Sequence, residues 1–213
     1  MKLYPTPKQA IRVPIAKPSI SALEREYVHD AFEKQEFSGV PSLEYIQRFE
    51  QAWCERIGRE YADAVSSGTD ALVVVLRALG IGYGDEVLIP AWTFAAPANA
   101  CLYVGATPVL VDIDPENWTI EPYRASFCVT EKTKVIIGVD IFGHPCDWRM
   151  ALWFNQTGEP ISYIEDAAQA HGSKYKADNG WFYCGNGGIA STFSMFANKA
   201  ITSGEGGVIL TDD

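Results

Sequence analysis

The sequence is poor in the features that mark secreted, membrane-spanning or nucleic-acid-binding chains. Of its 213 residues only five are cysteine, an odd number. Cys54, Cys101, Cys128, Cys146 and Cys184 are scattered and make no C-x-x-C pair. That excludes a disulfide framework or a zinc ribbon and points to reduced thiols in a cytoplasmic protein. No apolar run approaches the ~18 residues that a membrane span needs, and the N-terminal segment lacks the apolar core of a secretion signal. The sequons at Asn117 and Asn155 are therefore read as chance matches. Basic side chains are scarce, 17 against 27 acidic, for a net charge of −10. This deficit argues against a broad surface for nucleic acid or anionic membrane, while leaving room for a small basic pocket. Internal repeats and low-complexity tracts are absent as well.

What is present is the composition of an ordinary globular domain, with 47% hydrophobic and 21% charged residues. A chain of this length can bury about 70% of its unfolded surface, so it needs neither disulfides nor metal to hold a core. Residues 1–18 are punctuated by proline and are expected to be extended. Ser21 is placed to cap a helix running to about Lys34, with Glu24 as its capping-box partner. Ser42 can cap a second helix, in which Leu43, Ile46, Phe49, Trp53 and Ile57 recur every three or four residues until Gly58 stops it. Residues 1–40 thus read as an arm and helix, and 41–213 as the main domain.

Beyond Gly58 short apolar strands alternate with helices. Strands are expected at Ala62–Val65, Glu86–Ile89, Thr107–Val111, Lys134–Val139, Ile161–Ile164, Ala190–Met195 and Gly207–Leu210. Helices are expected at Asp70–Leu79, Ala95–Val104 and Trp148–Asn155. This alternation predicts an α/β fold, a three-layer α/β/α sandwich around a mostly parallel sheet. Ligands of such sheets sit beyond the carboxyl ends of the strands. Four segments fall there: Ser66–Thr69, Trp92–Phe94, Asp166–Gln169 and Ser194–Lys199.

Each segment has a plain structural reading beside a chemical one. Ser66-Ser67-Gly68-Thr69 opens a helix, where free N–H groups and the helix dipole favour a phosphate; it also reads as an ordinary N-cap turn. Taken alone the N-cap turn is the commoner reading, and since no G-K-[ST] follows, the segment is not a P-loop. Asp166 ends an apolar strand, where a carboxylate needs a cationic or donor partner, or simply caps the next helix. Gln169, three residues on, could face the same ligand. Glu165 should point to the other side of its strand, and His171 reads as structural. Lys199, among apolar residues and glycine turns, could be a desolvated nucleophilic amine or a surface lysine. Trp92 and Phe94 offer aromatic faces that could also be core. Together, an anion cradle, an aromatic platform, a carboxylate and an amine are what pyridoxal 5'-phosphate requires.

These landmarks also occur in a familiar order. Ser66-Ser67-Gly68-Thr69-Asp70-Ala71-Leu72, Pro90-Ala91-Trp92-Thr93-Phe94, Asp112-Ile113-Asp114 and Gly143-His144-Pro145-Cys146-Asp147 come first. Glu165-Asp166-Ala167-Ala168-Gln169-Ala170-His171-Gly172 follows, then Phe193-Ser194-Met195-Phe196, Lys199 and Gly204-Glu205-Gly206-Gly207. From about Lys17 to Asp213 the chain resembles the DegT/DnrJ/EryC1/StrS sugar aminotransferases, fold-type I pyridoxal-phosphate enzymes with an aspartate-aminotransferase-like large domain. The resemblance implies that Lys199 is the lysine that carries the cofactor and Asp166 the carboxylate facing the pyridine nitrogen. It places Gln169 near the phenolic oxygen, Phe94 on the ring, and Gly68, Thr69 and Ser194 at the phosphate. It implies transfer of an amino group from an amino-acid donor, glutamate, to a keto carbon of a nucleotide-linked sugar, by a homodimer. The run Asn198–Ser203 is most similar to perosamine-synthase-like 4-aminotransferases.

Two other readings compete. A sugar dehydratase of the same fold would carry histidine in place of Lys199, and a non-catalytic or regulatory protein could keep the cofactor fold without the reaction. Two departures from the family pattern stand out. Gly187-Gly188-Ile189-Ala190 replaces the usual Gly-Asp-Ile-Ala, losing an aspartate. The family also continues well beyond the position of Asp213, so the chain reads as the N-terminal part of such an enzyme, its large domain incomplete at the C-terminal end.

Overall fold

A computed structural model describes residues 17–36, 44–147, 149, 154, 161–178 and 180–213. The elements run α1 (Ala22–Glu33), α2 (Glu44–Ile57), β1 (Tyr61–Val65), α3 (Gly68–Ala78), β2 (Glu86–Pro90), α4 (Ala96–Val104), β3 (Thr107–Val111), α5 (Pro122–Cys128) and β4 (Thr133–Val139). After a single 3-10 turn at Ile141–Gly143 come β5 (Ser162–Asp166), β6 (Lys174–Ala177), β7 (Gly180–Tyr183), β8 (Ala190–Ser194) and β9 (Gly207–Thr211). The expected Ser42 cap lies outside the described residues, as do most of the extended segment 1–18 and most of the helix expected at Trp148–Asn155.

Among the described residues the main sheet has seven strands in the order β1-β9-β8-β5-β4-β2-β3. The links from β8 through β5, β4 and β2 to β3 are parallel, and β9 runs antiparallel to both its neighbours. The sheet is therefore mostly parallel, as the alternation predicts. Both faces are covered. Val87 and Ile89 pack with Ala71, Leu72, Val75 and Leu76 of α3 and Ala100 and Val104 of α4. Between them in the chain, Leu88 turns the other way to join Ile136, Tyr163 and Ala125 of α5. Further along that second face, Trp53 and Ile57 of α2 meet Phe193, Val208 and Leu210. A strand buried on both faces must be apolar throughout, which explains the uninterrupted run Val87-Leu88-Ile89.

Local chemistry sets the helix starts. Ser21 caps α1 and Glu24 closes the capping box back onto the Ser21 N–H at 2.7 Å. Ser67 caps α3: its Oγ accepts from the Asp70 N–H at 3.0 Å. Two elements escape the sequence reading. Helix α5 has only seven residues, with Pro122 in its first turn and Glu121 accepting from the Tyr123 and Arg124 N–H groups. The β6–β7 hairpin pairs Lys174 with Tyr183 and Ala177 with Gly180. No helix among the described residues is long and apolar enough to cross a membrane.

Candidate active site

The carboxyl ends of the parallel strands bring the predicted residues to one edge of the sheet. β5 ends on Asp166 and lies beside β8, with Asp166 paired in register to Thr192. Past β8 the chain turns back twice. The Lys199 N–H donates to the Phe196 carbonyl at 2.9 Å and the Ser203 N–H to the Met195 carbonyl at 3.1 Å. These turns return Lys199 toward the end of β5, and its ammonium and the Asp166 carboxylate act on one another's charge.

Burial shapes both groups. Asp166 is buried, and loss of hydration raises its carboxyl to about 6, against the opposing pull of the Ala168 N–H and of Lys199. The Ala168 N–H reaches Asp166 Oδ1 at 3.1 Å. Lys199 is half-buried, and desolvation holds its amine below the ordinary lysine value although Asp166 acts in the opposite direction. The site thus contains an under-compensated carboxylate and an amine inclined to lose its proton.

The start of α3 packs directly on this region. A Cβ added to Gly68 would fall 2.7 Å from the Cβ of Ser194, so only glycine permits this approach. Ser67 Oγ takes the Asp70 N–H and the Ser67 carbonyl takes the Ala71 N–H. The N–H groups of Gly68 and Thr69 point out of the helix's own bonding. With the Ser194 hydroxyl alongside, they form a cradle suited to an anion. The structure brings Gly68 and Ser194 together; Thr69 joins them as the neighbour of Gly68 and is half-buried.

Gln169 is anchored from a third element. Its Oε1 accepts the Phe142 N–H at 3.0 Å, leaving the amide NH₂ as its donor end. Phe142 adopts a left-handed backbone at φ 52°, a costly conformation for an aromatic residue and one that clusters at ligand sites. Its ring meets Trp118, which in turn meets Trp92, giving an edge-to-face aromatic row along the strand ends. Phe94 follows β2 and is 72% exposed, so it is not core.

His171 keeps the structural role expected of it. Its ring packs against Trp53 and Phe193, and burial, then the Lys199 charge, depress it to about 4, so it is neutral. Glu165 points away from Asp166, as the alternation of a strand requires, and accepts from the Gly185 and Gly187 N–H groups at 2.7 and 2.6 Å. At Gly188 φ is +67° and a Cβ would lie 2.4 Å from the Tyr163 carbonyl oxygen, so the turn takes glycine at this position. Arg59 is a residue the sequence reading missed. Buried, it donates to the carbonyls of Gly185, Gly187 and Gly188 and to Asp212, and so holds this glycine turn in place.

The sequence profile of the DegT/DnrJ/EryC1/StrS aminotransferase family matches residues 18–213. A GDP-perosamine synthase of Escherichia coli O157:H7 is 42% identical over 201 residues, covering 94% of this chain and 53% of that protein. The crystal structure of an aminotransferase from Psychrobacter cryohalolentis superposes with a TM-score of 0.84 at 34% identity, covering 92% of this chain and 48% of that one. The PLP form of the sugar aminotransferase Spr1654 of Streptococcus pneumoniae, described as putative, gives 0.83 at 29% identity, covering 94% and 53%. The chain spans about half the length of the curated relatives it matches.

Proposed function

The chain belongs to the DegT/DnrJ/EryC1/StrS aminotransferase family, and from that premise we propose that it carries the cofactor-holding machinery of a pyridoxal-phosphate-dependent sugar aminotransferase. The amino donor is glutamate and the acceptor a keto carbon on a nucleotide-linked sugar. The similarity to a GDP-perosamine synthase favours a GDP-linked keto sugar. A cytoplasmic homodimer completes the reading, and the five free cysteines agree with the compartment. The observation that carries the proposal is buried Asp166 at the end of β5 with half-buried Lys199 turned back toward it, beside the close approach of Gly68 to Ser194.

The residues fit the cofactor on their own chemistry. Bound there, pyridoxal phosphate would supply an aldehyde for amine exchange and an electron-withdrawing ring that acidifies the adjacent carbon. Gly68, Thr69 and Ser194 would hold the phosphate with backbone N–H and hydroxyl donors. Asp166 would accept a hydrogen bond from the ring nitrogen. Its burial makes a cationic partner valuable, because pairing relieves the cost of an isolated charge. Gln169 would present its amide NH₂ to the phenolic oxygen, and Phe94 would lie against the ring. Lys199, its proton affinity reduced by desolvation, would supply Nζ first as nucleophile and then as the base that takes and returns a proton.

The test is chemical trapping followed by turnover. Incubation with pyridoxal phosphate, borohydride reduction and peptide mass analysis should place a single pyridoxyl mark on Lys199. The intact protein should then pass an amino group from glutamate to a GDP-linked keto sugar. A mark elsewhere, or none, refutes the site; trapping without transfer from glutamate leaves the non-catalytic reading standing.

A further inference from the structure

Behind Asp166, on the opposite face of β5, lies a buried cluster that the reading above does not use. Asp140 follows β4 and is 0% exposed; Glu165 and Cys184 are also buried. The ligating atoms of these three residues all lie within 4.8 Å of one another. Asp140 Oδ1 accepts the Cys146 N–H at 2.8 Å. Its Oδ2 is buried and, among the described residues, accepts no N–H or O–H hydrogen bond. Facing Asp140 are the Cys184 thiol and the carboxyl of Glu165, whose own oxygens already receive two backbone N–H groups. Two carboxylates cannot face each other in a buried site without a proton between them.

We propose that Asp140 keeps its proton in the folded protein and donates it from Oδ2 to Glu165, and that this carboxyl–carboxylate clamp positions Asp166. The proton belongs on Asp140 because Glu165 has two backbone N–H donors and Asp140 one, the Cys184 thiol being only a weak donor. The link to Asp166 is short and covalent in part. The Asp140 N–H donates to the Asp166 carbonyl at 3.0 Å, and Glu165 is the preceding residue of the same strand. Opposite side chains of consecutive residues are thus fixed together: Glu165 behind the sheet by the clamp, and the Asp166 carboxyl in front. Asp140 is a positioning residue, since it touches neither cofactor nor substrate. The clamp also limits the buried negative charge behind Asp166 to one.

The surroundings favour a neutral Asp140. Burial and the Glu165 charge both raise its carboxyl well above the ordinary range. The other titratable groups facing it are Tyr163 on β5, Tyr175 on β6, Cys146 after the 3-10 turn and Cys184 after β7. Burial pushes every one of them upward, Cys146 and Tyr175 to about 12, so they stay uncharged at neutral pH. Arg59 is the nearby cation, and it is engaged by the carbonyls of the glycine turn that cradles Glu165.

The proton half of the proposal does not need the cofactor; the positioning half rests on the proposed function. Infrared spectra of the intact protein at neutral pH should show the stretch of a buried protonated carboxyl, shifted in D₂O and lost in Asp140→Asn. Stability gives a second reading. A raised carboxyl weakens folding as pH climbs above the unfolded value of about 3.9, so the wild type should fall behind Asp140→Asn by up to tenfold in folding constant per pH unit. Asparagine can copy both bonds, accepting from Cys146 and donating to Glu165; Asp140→Ala cannot. With pyridoxal phosphate bound, the pH midpoint of its absorbance should be unchanged in Asp140→Asn and displaced in Asp140→Ala. Absence of the acid band together with parallel stability profiles overturns the proton. One tightly held divalent cation per chain, lost in Asp140→Asn, overturns it too. An unmoved absorbance midpoint in Asp140→Ala overturns the positioning. Should pyridoxal phosphate fail to bind at all, the infrared and stability measurements still decide the clamp.

Discussion

Asp166→Asn should make the cofactor-free protein more stable while spoiling the site. The carboxyl of Asp166 is buried and titrates at about 6, roughly two units above the unfolded value of about 3.9. Because the folded value is the higher one, the folded state holds its proton where the unfolded chain has already released it. The stability linked to this group is fully present below about pH 4 and is lost as pH rises through about 6. At about 1.4 kcal/mol per unit the loss reaches about 3 kcal/mol above pH 6. Asparagine has the same shape, still accepts the Ala168 N–H and carries no charge, so it escapes the loss. Its extra N–H₂ needs an acceptor, which returns about 1 kcal/mol of cost. The net expectation is a variant more stable than wild type by about 2 kcal/mol at pH 7.5 and no more stable at pH 4.5. Urea unfolding of both cofactor-free proteins at the two pH values measures it. Pyridoxal phosphate should reverse the order, stabilising the wild type more than the variant, since only a carboxylate repays a cationic ring nitrogen. Equal stability differences at pH 4.5 and 7.5 would refute the burial argument. Equal stabilisation by the cofactor would refute the role given to Asp166.

Three further substitutions probe separate parts of the site. Gly68→Ala forces a Cβ to 2.7 Å from that of Ser194, so it should cost about 1–3 kcal/mol in thermal or urea unfolding and weaken cofactor affinity at least about tenfold; wild-type values for both would show that the close approach does not exist. Phe94→Ala removes a side chain that is 72% exposed, so stability should change by less than about 0.5 kcal/mol. Its cofactor affinity should still fall by about tenfold from the lost ring contact, read by absorbance titration; unaltered affinity removes Phe94 from the site. Arg59→Met leaves the carbonyls of Gly185, Gly187 and Gly188 without their buried donor, and the urea midpoint should drop by the equivalent of about 2–4 kcal/mol; a loss under about 0.5 kcal/mol would contradict that account.

The parts of the fold legible in the sequence are those whose cause is local. Ser21 and Glu24 are three residues apart and make their capping box within one turn. Val87-Leu88-Ile89 announces a strand covered on both sides because every position must be apolar. Helix α5 was hidden by its seven residues, too few to display a period, and by a proline that reads as a breaker but serves as a first-turn residue. The β6–β7 hairpin does have a local signal in the sequence, Asp178-Asn179-Gly180 between two short alternating runs. The reversed direction of β9 leaves no local mark, since Gly207–Thr211 is equally apolar in either orientation.

The same division separates the candidate site from its support. Asp166, Lys199 and the Gly68 turn stand out because each is a polar group at the end of an apolar strand, where chemistry of that kind is conspicuous. Asp140 stands at such an end too, yet its role depends on Glu165, 25 positions away. What joins them is the parallel register of β4 and β5, which sets Gly138 against Glu165 and Val139 against Asp166. That register is held by packing: Gly138 leaves room for the Tyr163 ring, whose hydroxyl would lie 2.0 Å from a Cβ there. A side chain at position 138 would push the strands apart, separate Asp140 from Glu165 and loosen the peptide that carries Asp166. The glycine near the carboxyl end of β4 therefore belongs to the support of the site as much as Asp140 does. Its contribution passes through a phenol ring, a shared proton and one peptide, none of which leaves a pattern along the chain.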